Sequence, residues 1–281
     1  LYMKNILILI FLAMSSVVFA QSSNDLEIIN GMTGDMNGTG PHMVYLRTYK
    51  KISDAAGASF IERGGCSGVL IKKNVVLTAA HCFLINGFDQ VEIHFTLKFD
   101  EFGKYPVRFG SRIINHPDYN KSKDVYKNEG YLENDIALIK FEGLLPVGYK
   151  PINYKVTNDS IYLGQSVLVA GYGLVYDTAD PRMNYHYLDN LGKLFSTRLM
   201  LDKEFPTDPL YVTNITADQK EKTGMCRGDS GGAAIVRDEK KNFLLVGINS
   251  MTGDEKTCFG KAYFTRVALY QEWIEQSLNL L

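Results

Sequence analysis

Apolar residues recur in this chain as short runs cut by Gly, Asn, Asp and Pro. "HMVYL" from His42, "SGVLI" from Ser67, "VVLTAA" from Val75 and "VEIHFTL" from Val91 make one series. "DIALIKF" from Asp135, "SVLVAGYG" from Ser166, "FLLVGINS" from Phe243 and "AYFTRV" from Ala262 continue it. Runs of this length, rich in β-branched and aromatic residues and spaced by turn formers, predict an all-β sandwich or pair of barrels rather than alternating strand and helix units. The last segment breaks the pattern. In "ALYQEWIEQSLNLL", Ala268 to Leu281, Trp273, Ile274 and Leu278 repeat at helical spacing and predict a terminal helix. "LLPVGYKPINY", Leu144 to Tyr154, carries two prolines and reads as a linker between two β units.

The first residues follow another rule. Lys4 precedes an unbroken apolar run from Ile6 to Met14, and Val18 and Ala20 stand at the −3 and −1 positions before Gln21. A positive start, a short apolar core and a small-residue cleavage site predict a secretory signal over 1–20. A membrane anchor needs about 20 apolar residues, and Ser15-Ser16 interrupts this run. The expected localisation is therefore extracellular, or periplasmic in a bacterium, with no membrane contact in the mature form.

Composition adds bounds. The chain has 281 residues, is 46% hydrophobic and 22% charged, and carries a formal net charge of −1. It can bury a full core, and it has no general attraction for nucleic acid or anionic membranes. Outside the cytosol its four cysteines read as disulfides, with three connectivities open. None lies in a C-x-x-C pair, so a zinc site is not expected, nor is another metal or a cofactor. Asn37, Asn120, Asn158 and Asn214 head N-x-S/T acceptor sites.

Candidate chemistry begins at "GMCRGDSGGAA", Gly224 to Ala234. Arg227-Gly228-Asp229 is a tripeptide that adhesion proteins display to receptors, whereas Asp229-Ser230-Gly231-Gly232 suits a nucleophilic serine. A serine hydroxyl is a weak nucleophile until a base takes its proton and a third group orients that base. Of the five histidines, His81 ends the apolar run "VVLTAAHC" beside a cysteine. Asp135 opens "DIALIKF", where a carboxylate can be buried and aimed at an imidazole.

Together "LTAAHC", "NDIALIK" and "GDSGG", in the order His, Asp, Ser, resemble the trypsin/chymotrypsin-like serine peptidases. "IING" at Ile28, "PHMVYL" at Pro41, "CSGVLI" at Cys66, "HPDYN" at His116, "VAGYG" at Val169, "YFTRV" at Tyr263 and "YQEWI" at Tyr270 also fall in family order. The resemblance implies two six-stranded antiparallel barrels with the active site between them. It implies Ser230 as nucleophile, His81 as general base, Asp135 as the group that orients it, and an oxyanion hole from the N–H groups of Gly228 and Ser230. It implies disulfides Cys66–Cys82 and Cys226–Cys258. Asp229 would be buried and would pair with the α-amino group of Ile28 after activation, which removes the receptor-display reading.

The implied organisation is a propeptide over 21–27 and a peptidase domain over 28–281. Its N-terminal barrel ends near 145, a linker runs over about 146–158, and the second barrel and terminal helix follow. The activating cut would fall after Glu27, an acidic residue, where trypsin-activated relatives have Arg or Lys. That implies an activator, or self-activation, with acidic preference. Gly224 stands where trypsin-like members carry an acid, so cleavage after Lys or Arg is not expected. Thr252 and Ala262 replace pocket-wall glycines, Ser250 and Met251 continue that wall, and Met225 sits at the base. These imply a shallow pocket for small aliphatic P1 residues. Arg227, Lys256 and Lys261 near the mouth keep an acidic P1 as the alternative. Expected partners are protein or peptide substrates, an activating protease and protein inhibitors, acting on a monomer. From another class, a peptidase-fold binding protein that has lost catalysis is the competing expectation.

Overall fold

The computed structural model describes residues 32–53, 59–100, 102–119, 133–156, 165–174, 192–201, 210–213, 224–252 and 262–281. The expected signal, propeptide and mature start at Ile28 lie outside them.

A two-residue strand β1 (Met32–Thr33) comes first among the described residues. Then β2 (Met43–Ser53), β3 (Ser59–Lys72), β4 (Val75–Thr78), β5 (Gln90–His94), β6 (Val107–Asn115) and β7 (Ala137–Phe141) form a closed barrel in the order β2-β3-β4-β7-β6-β5. All its pairs are antiparallel. Strands β8 (Ser166–Gly171), β9 (Phe195–Met200), β10 (Leu210–Thr213), β11 (Ala233–Arg237), β12 (Phe243–Thr252) and β13 (Ala262–Arg266) form the second unit. Its order is β1-β9-β8-β11-β12-β13-β10, so β1 extends six antiparallel strands to seven. The chain is thus all-β in two units, as its periodicity predicts.

The burial pattern explains the strand choice. Every residue of β4 is buried, as are Ala137, Leu138, Ile139 and Phe141 of β7, so these adjacent strands need apolar side chains on both faces. By contrast β6 has no residue fully buried, and its Arg108, Ser111 and Arg112 keep polar groups near solvent. Phe83, Phe95, Phe141, Tyr172, Phe195 and Phe264 are among the largest fully buried side chains. A buried aromatic of this size typically contributes on the order of 2–3 kcal/mol of transfer free energy.

The chain between the units is pinned to both. Ile152 N–H donates to Leu70 C=O in the barrel, and Asn153 C=O accepts from Leu245 N–H in the second sheet. The terminal helix α2 (Gln271–Leu280) follows a 3-10 turn at Val267–Tyr270. Arg112 and Lys140, both on the first barrel, donate to the carbonyls of Leu280 and Leu281. Tyr154 hydroxyl donates to Glu275, and the Gln271 amide to Tyr154 C=O. The helix therefore straps the barrel to the second sheet.

Candidate active site

Strand register sets the first pair. Thr78, the last residue of β4, faces Ala137, the first of β7. His81, opening the short helix α1 (His81–Leu84), and Asp135, just before β7, thereby leave the barrel at one point. His81 Nδ1 lies 2.7 Å from Asp135 Oδ2, and His81 N–H donates to Asp135 Oδ1 at 2.9 Å. The carboxylate is fully buried, whereas 15% of the His81 side chain stays exposed. Burial disfavours protonation of His81, but the charge and hydrogen bond of Asp135 outweigh it and hold the imidazole above its ordinary 6.5.

A third donor reaches the same carboxylate. Ser250 hydroxyl donates to Asp135 Oδ2 at 2.6 Å, and Thr265 hydroxyl donates to the Asp135 carbonyl at 2.9 Å. Both hydroxyls are buried. Sequence reasoning places Ser250 in the pocket wall and misses this contact. The available signal was a polar Asn249-Ser250 pair ending an otherwise apolar buried run.

Ser230 arrives from the second sheet, on the loop that enters β11. Its carbonyl accepts Ser67 N–H at 2.7 Å and lies 4.0 Å from Sγ of Cys82, the residue after His81. Among the described residues its hydroxyl has no hydrogen-bond partner, His81 included. In serine hydrolases generally, a bond of this kind is long in many unliganded sites and tightens in complexes. Gly231 has φ +79°, and a Cβ there would lie 2.0 Å from Thr78 Oγ1 and 2.3 Å from the Ser67 carbonyl oxygen. Only glycine lets this loop lie against the end of β4. Asn249 holds the loop from behind: its carbonyl accepts Gly231 N–H, and its N–H donates to Gly232 C=O.

The Cys66–Cys82 disulfide ties β3 to α1 beside His81. Closing a loop of 16 residues is worth about 3 kcal/mol on the chain-entropy model. Cys66, His81 and Cys82 present atoms within 4.8 Å of one another. The two sulfurs are bonded to each other, however, and offer no thiolate to a metal. Cys226 is also disulfide-bonded. Cys258 lies outside the described residues.

Asp229 is fully buried; its Oδ1 accepts Gly173 N–H at 2.8 Å and its Oδ2 accepts Cys226 N–H at 2.9 Å. Among the described residues no cation faces it. Burial pushes its pKa from 3.8 up to about 7, against the pull of the two amides. The folded value lies above the unfolded one, so this group's contribution to stability is intact below pH 4 and is lost as pH rises toward 7. The expected cost is on the order of 4 kcal/mol by pH 8. Urea unfolding of the full chain should therefore show a loss across pH 4–7 that is absent in Asp229→Ala; parallel pH profiles for the two proteins would refute it. An Asp in this position is not available to a receptor, so the tripeptide Arg227-Gly228-Asp229 is no adhesion handle.

Thr252 faces Ala262, and Met251 faces Tyr263, across β12 and β13. Gly224, Met225 and Ala262 are buried, Met251 and Thr252 are half-buried, and Arg227 is exposed. Lys256 and Lys261 lie outside the described residues.

A closed barrel joined to a second antiparallel sheet, with an imidazole on a buried carboxylate and a serine loop between barrel and sheet, is an arrangement that suits a serine hydrolase. A family model described as Trypsin matches residues 29–274, and the chain belongs to that family: it is a serine-type endopeptidase. Kallikrein-4 of Homo sapiens is 28% identical over 228 residues, covering 76% of this chain and 78% of the relative. Trypsin II-P29 of Gallus gallus is 25% identical over 286 residues, covering 98% and 99%. Phenoloxidase-activating factor 3 of Holotrichia diomphalia is 28% identical over 280 residues, covering 92% and 74%. A solved collagenase structure superposes with TM-score 0.63 at 23% identity, over 89% of this chain and 98% of that one, a likeness of fold.

Proposed function

We propose that this protein is secreted as an inactive precursor and hydrolyses peptide bonds through an acyl-enzyme on Ser230. His81 takes the Ser230 proton as the hydroxyl oxygen attacks the scissile carbonyl, then returns it to the leaving amine. Asp135 keeps the Nδ1 proton in place and stabilises the imidazolium. The N–H groups of Gly228 and Ser230 receive the oxyanion, each such donor contributing about 10²–10³ in rate. One observation carries the reading: the Asp135 carboxylate is buried with three donors, two from His81 and one from Ser250. A group so held positions the imidazole tautomer that a serine base requires.

The precursor reading rests on Asp229. Its buried carboxyl has only neutral amides as partners among the described residues, and the freed α-amino group of Ile28 would supply the missing cation after removal of residues 21–27. The cysteine left to pair with Cys226 is then Cys258. The protein acts as a monomer on protein or peptide substrates outside the cell, subject to an activating protease and to protein inhibitors.

The preferred P1 residue is small and aliphatic. Thr252 and Ala262 are paired across β12 and β13, and the family resemblance puts them where a deep pocket needs two glycines, so a branched side chain and a methyl would make that pocket shallow. An acidic P1 is the second reading, favoured by exposed Arg227 and by Glu27 at the activating cut. Digestion of a diverse peptide library by protein trimmed to begin at Ile28, with Ser230→Ala as control, decides between them. Ala or Val before the cut supports the wall argument, and Glu or Asp there supports the basic rim. Cuts after Lys or Arg refute both.

A further inference from the structure

We infer that Ser67 is a positioning residue that holds the oxyanion hole in its working shape; this rests on the assignment of Ser230 as nucleophile. Ser67 lies on β3, fully buried, between the barrel and the nucleophile loop. Its hydroxyl donates to Gly228 C=O at 2.8 Å and accepts Tyr172 N–H at 2.9 Å. Its N–H donates to Ser230 C=O, and its own carbonyl accepts the Thr78 hydroxyl at 2.8 Å. One residue thus touches the nucleophile loop twice, the strand leading to His81, and the second sheet.

The hole depends on a peptide orientation that a turn can reverse. Cys226 to Asp229 form a four-residue turn closed by Asp229 N–H donating to Cys226 C=O at 3.1 Å. Gly228, its third residue, has φ +96°, and Arg227 is not among the residues with positive φ. That combination is a type II turn; rotating the peptide between Arg227 and Gly228 converts it to type I and reverses the Gly228 N–H. Two hydrogen bonds oppose the rotation. Leu174 N–H holds the Arg227 carbonyl at 2.8 Å, and because the peptide is trans, the Gly228 N–H points the opposite way. The Ser67 hydroxyl holds the Gly228 carbonyl, fixing the other side of the same glycine. Asn249 Nδ2 donates to the next carbonyl, that of Asp229, at 3.1 Å, so the Gly228 carbonyl depends on Ser67.

Without the hydroxyl, Gly228 C=O and Tyr172 N–H both lose their described partner, and the peptide after Gly228 is no longer held from the barrel side, so the glycine can turn. Ser67→Ala should lower kcat about tenfold per titrated active site with KM nearly unchanged, since the oxyanion interaction is stronger in the transition state than in the ground state. Affinity for a peptide aldehyde, whose adduct places an anionic oxygen in the hole, should fall by the same factor. Ser67→Thr, which keeps the hydroxyl, should restore both.

The measurement uses trimmed protein, a peptide taken from its own library cuts, and fluorophosphonate titration to count working sites. A Ser67→Ala protein with unchanged kcat per titrated site, or with its loss confined to KM, overturns the inference while leaving the nucleophile assignment intact. So does a Ser67→Thr protein that folds with a full count of titrated sites but turns over like Ser67→Ala. Trimmed wild-type protein that neither labels nor cleaves overturns the nucleophile assignment, and the role of Ser67 with it.

Discussion

Replacing Ser230 by Ala in protein trimmed to begin at Ile28 is expected to lower kcat by a factor on the order of 10⁶, with substrate still bound. On the proposed mechanism the hydroxyl oxygen forms the acyl bond, and alanine leaves only water to attack. What survives is the help from the oxyanion donors and from binding, about 10³–10⁴ over the uncatalysed reaction. His81→Ala should cost about as much, and the double variant little more, because the two act as one unit. Cleavage by Ser230→Ala at more than about a thousandth of the wild-type rate would place the nucleophile elsewhere. The fold should not suffer, since Ser230 is held through its backbone: the carbonyl receives Ser67 N–H whatever the side chain is.

Asp135→Asn should lower kcat about 10⁴-fold near neutral pH, the size seen for this change in the family's type enzyme. The reason is visible in the donor set. His81 Nδ1, His81 N–H and Ser250 hydroxyl all point at the carboxylate. An amide has one oxygen to offer them, and its NH₂ set toward Nδ1 favours the tautomer with the proton on Nε2, which cannot take a proton from serine. In the native enzyme kcat/KM should rise with an apparent pKa above 6.5, because Asp135 holds the imidazole proton there. The same pair stabilises the fold fully below pH 6.5, and that stabilisation fades as pH rises through the raised value. In the variant the charge is gone, so this rising limb should move to lower pH while the maximal rate drops. A pH–rate profile that falls uniformly with no shift of the limb would show that Asp135 acts on something other than His81.

Much of the architecture was legible from local pattern. The eight apolar runs all contribute to strands, and the helical spacing of Trp273, Ile274 and Leu278 marks α2. The runs gave ends less well than centres: "HMVYL" continues as β2 to Ser53, and "SGVLI" is only the close of β3, which starts at Ser59. Strands β1, β6, β9, β10 and β11 escaped the pattern reading. In β6 the polar Arg108, Ser111 and Arg112 break the apolar run, and the strand forms because closing the barrel needs a partner for both β5 and β7. In β11 the short "AAIVR" follows a glycine-rich loop, and neighbours β8 and β12 supply its hydrogen bonds.

The sequence by itself determined the β class, the terminal helix and the family, because side-chain period and short motifs are local properties of the chain. Tertiary structure alone decided which residues meet. The register Thr78 opposite Ala137 brings His81 onto Asp135 across 54 positions. The packing of β12 delivers Ser250 to the same carboxylate from 115 positions away, and Ser67 reaches Gly228 across 161. No periodicity encodes such contacts. They follow from closing the barrel and seating the second sheet against it, where each buried polar group must find a partner or leave the core.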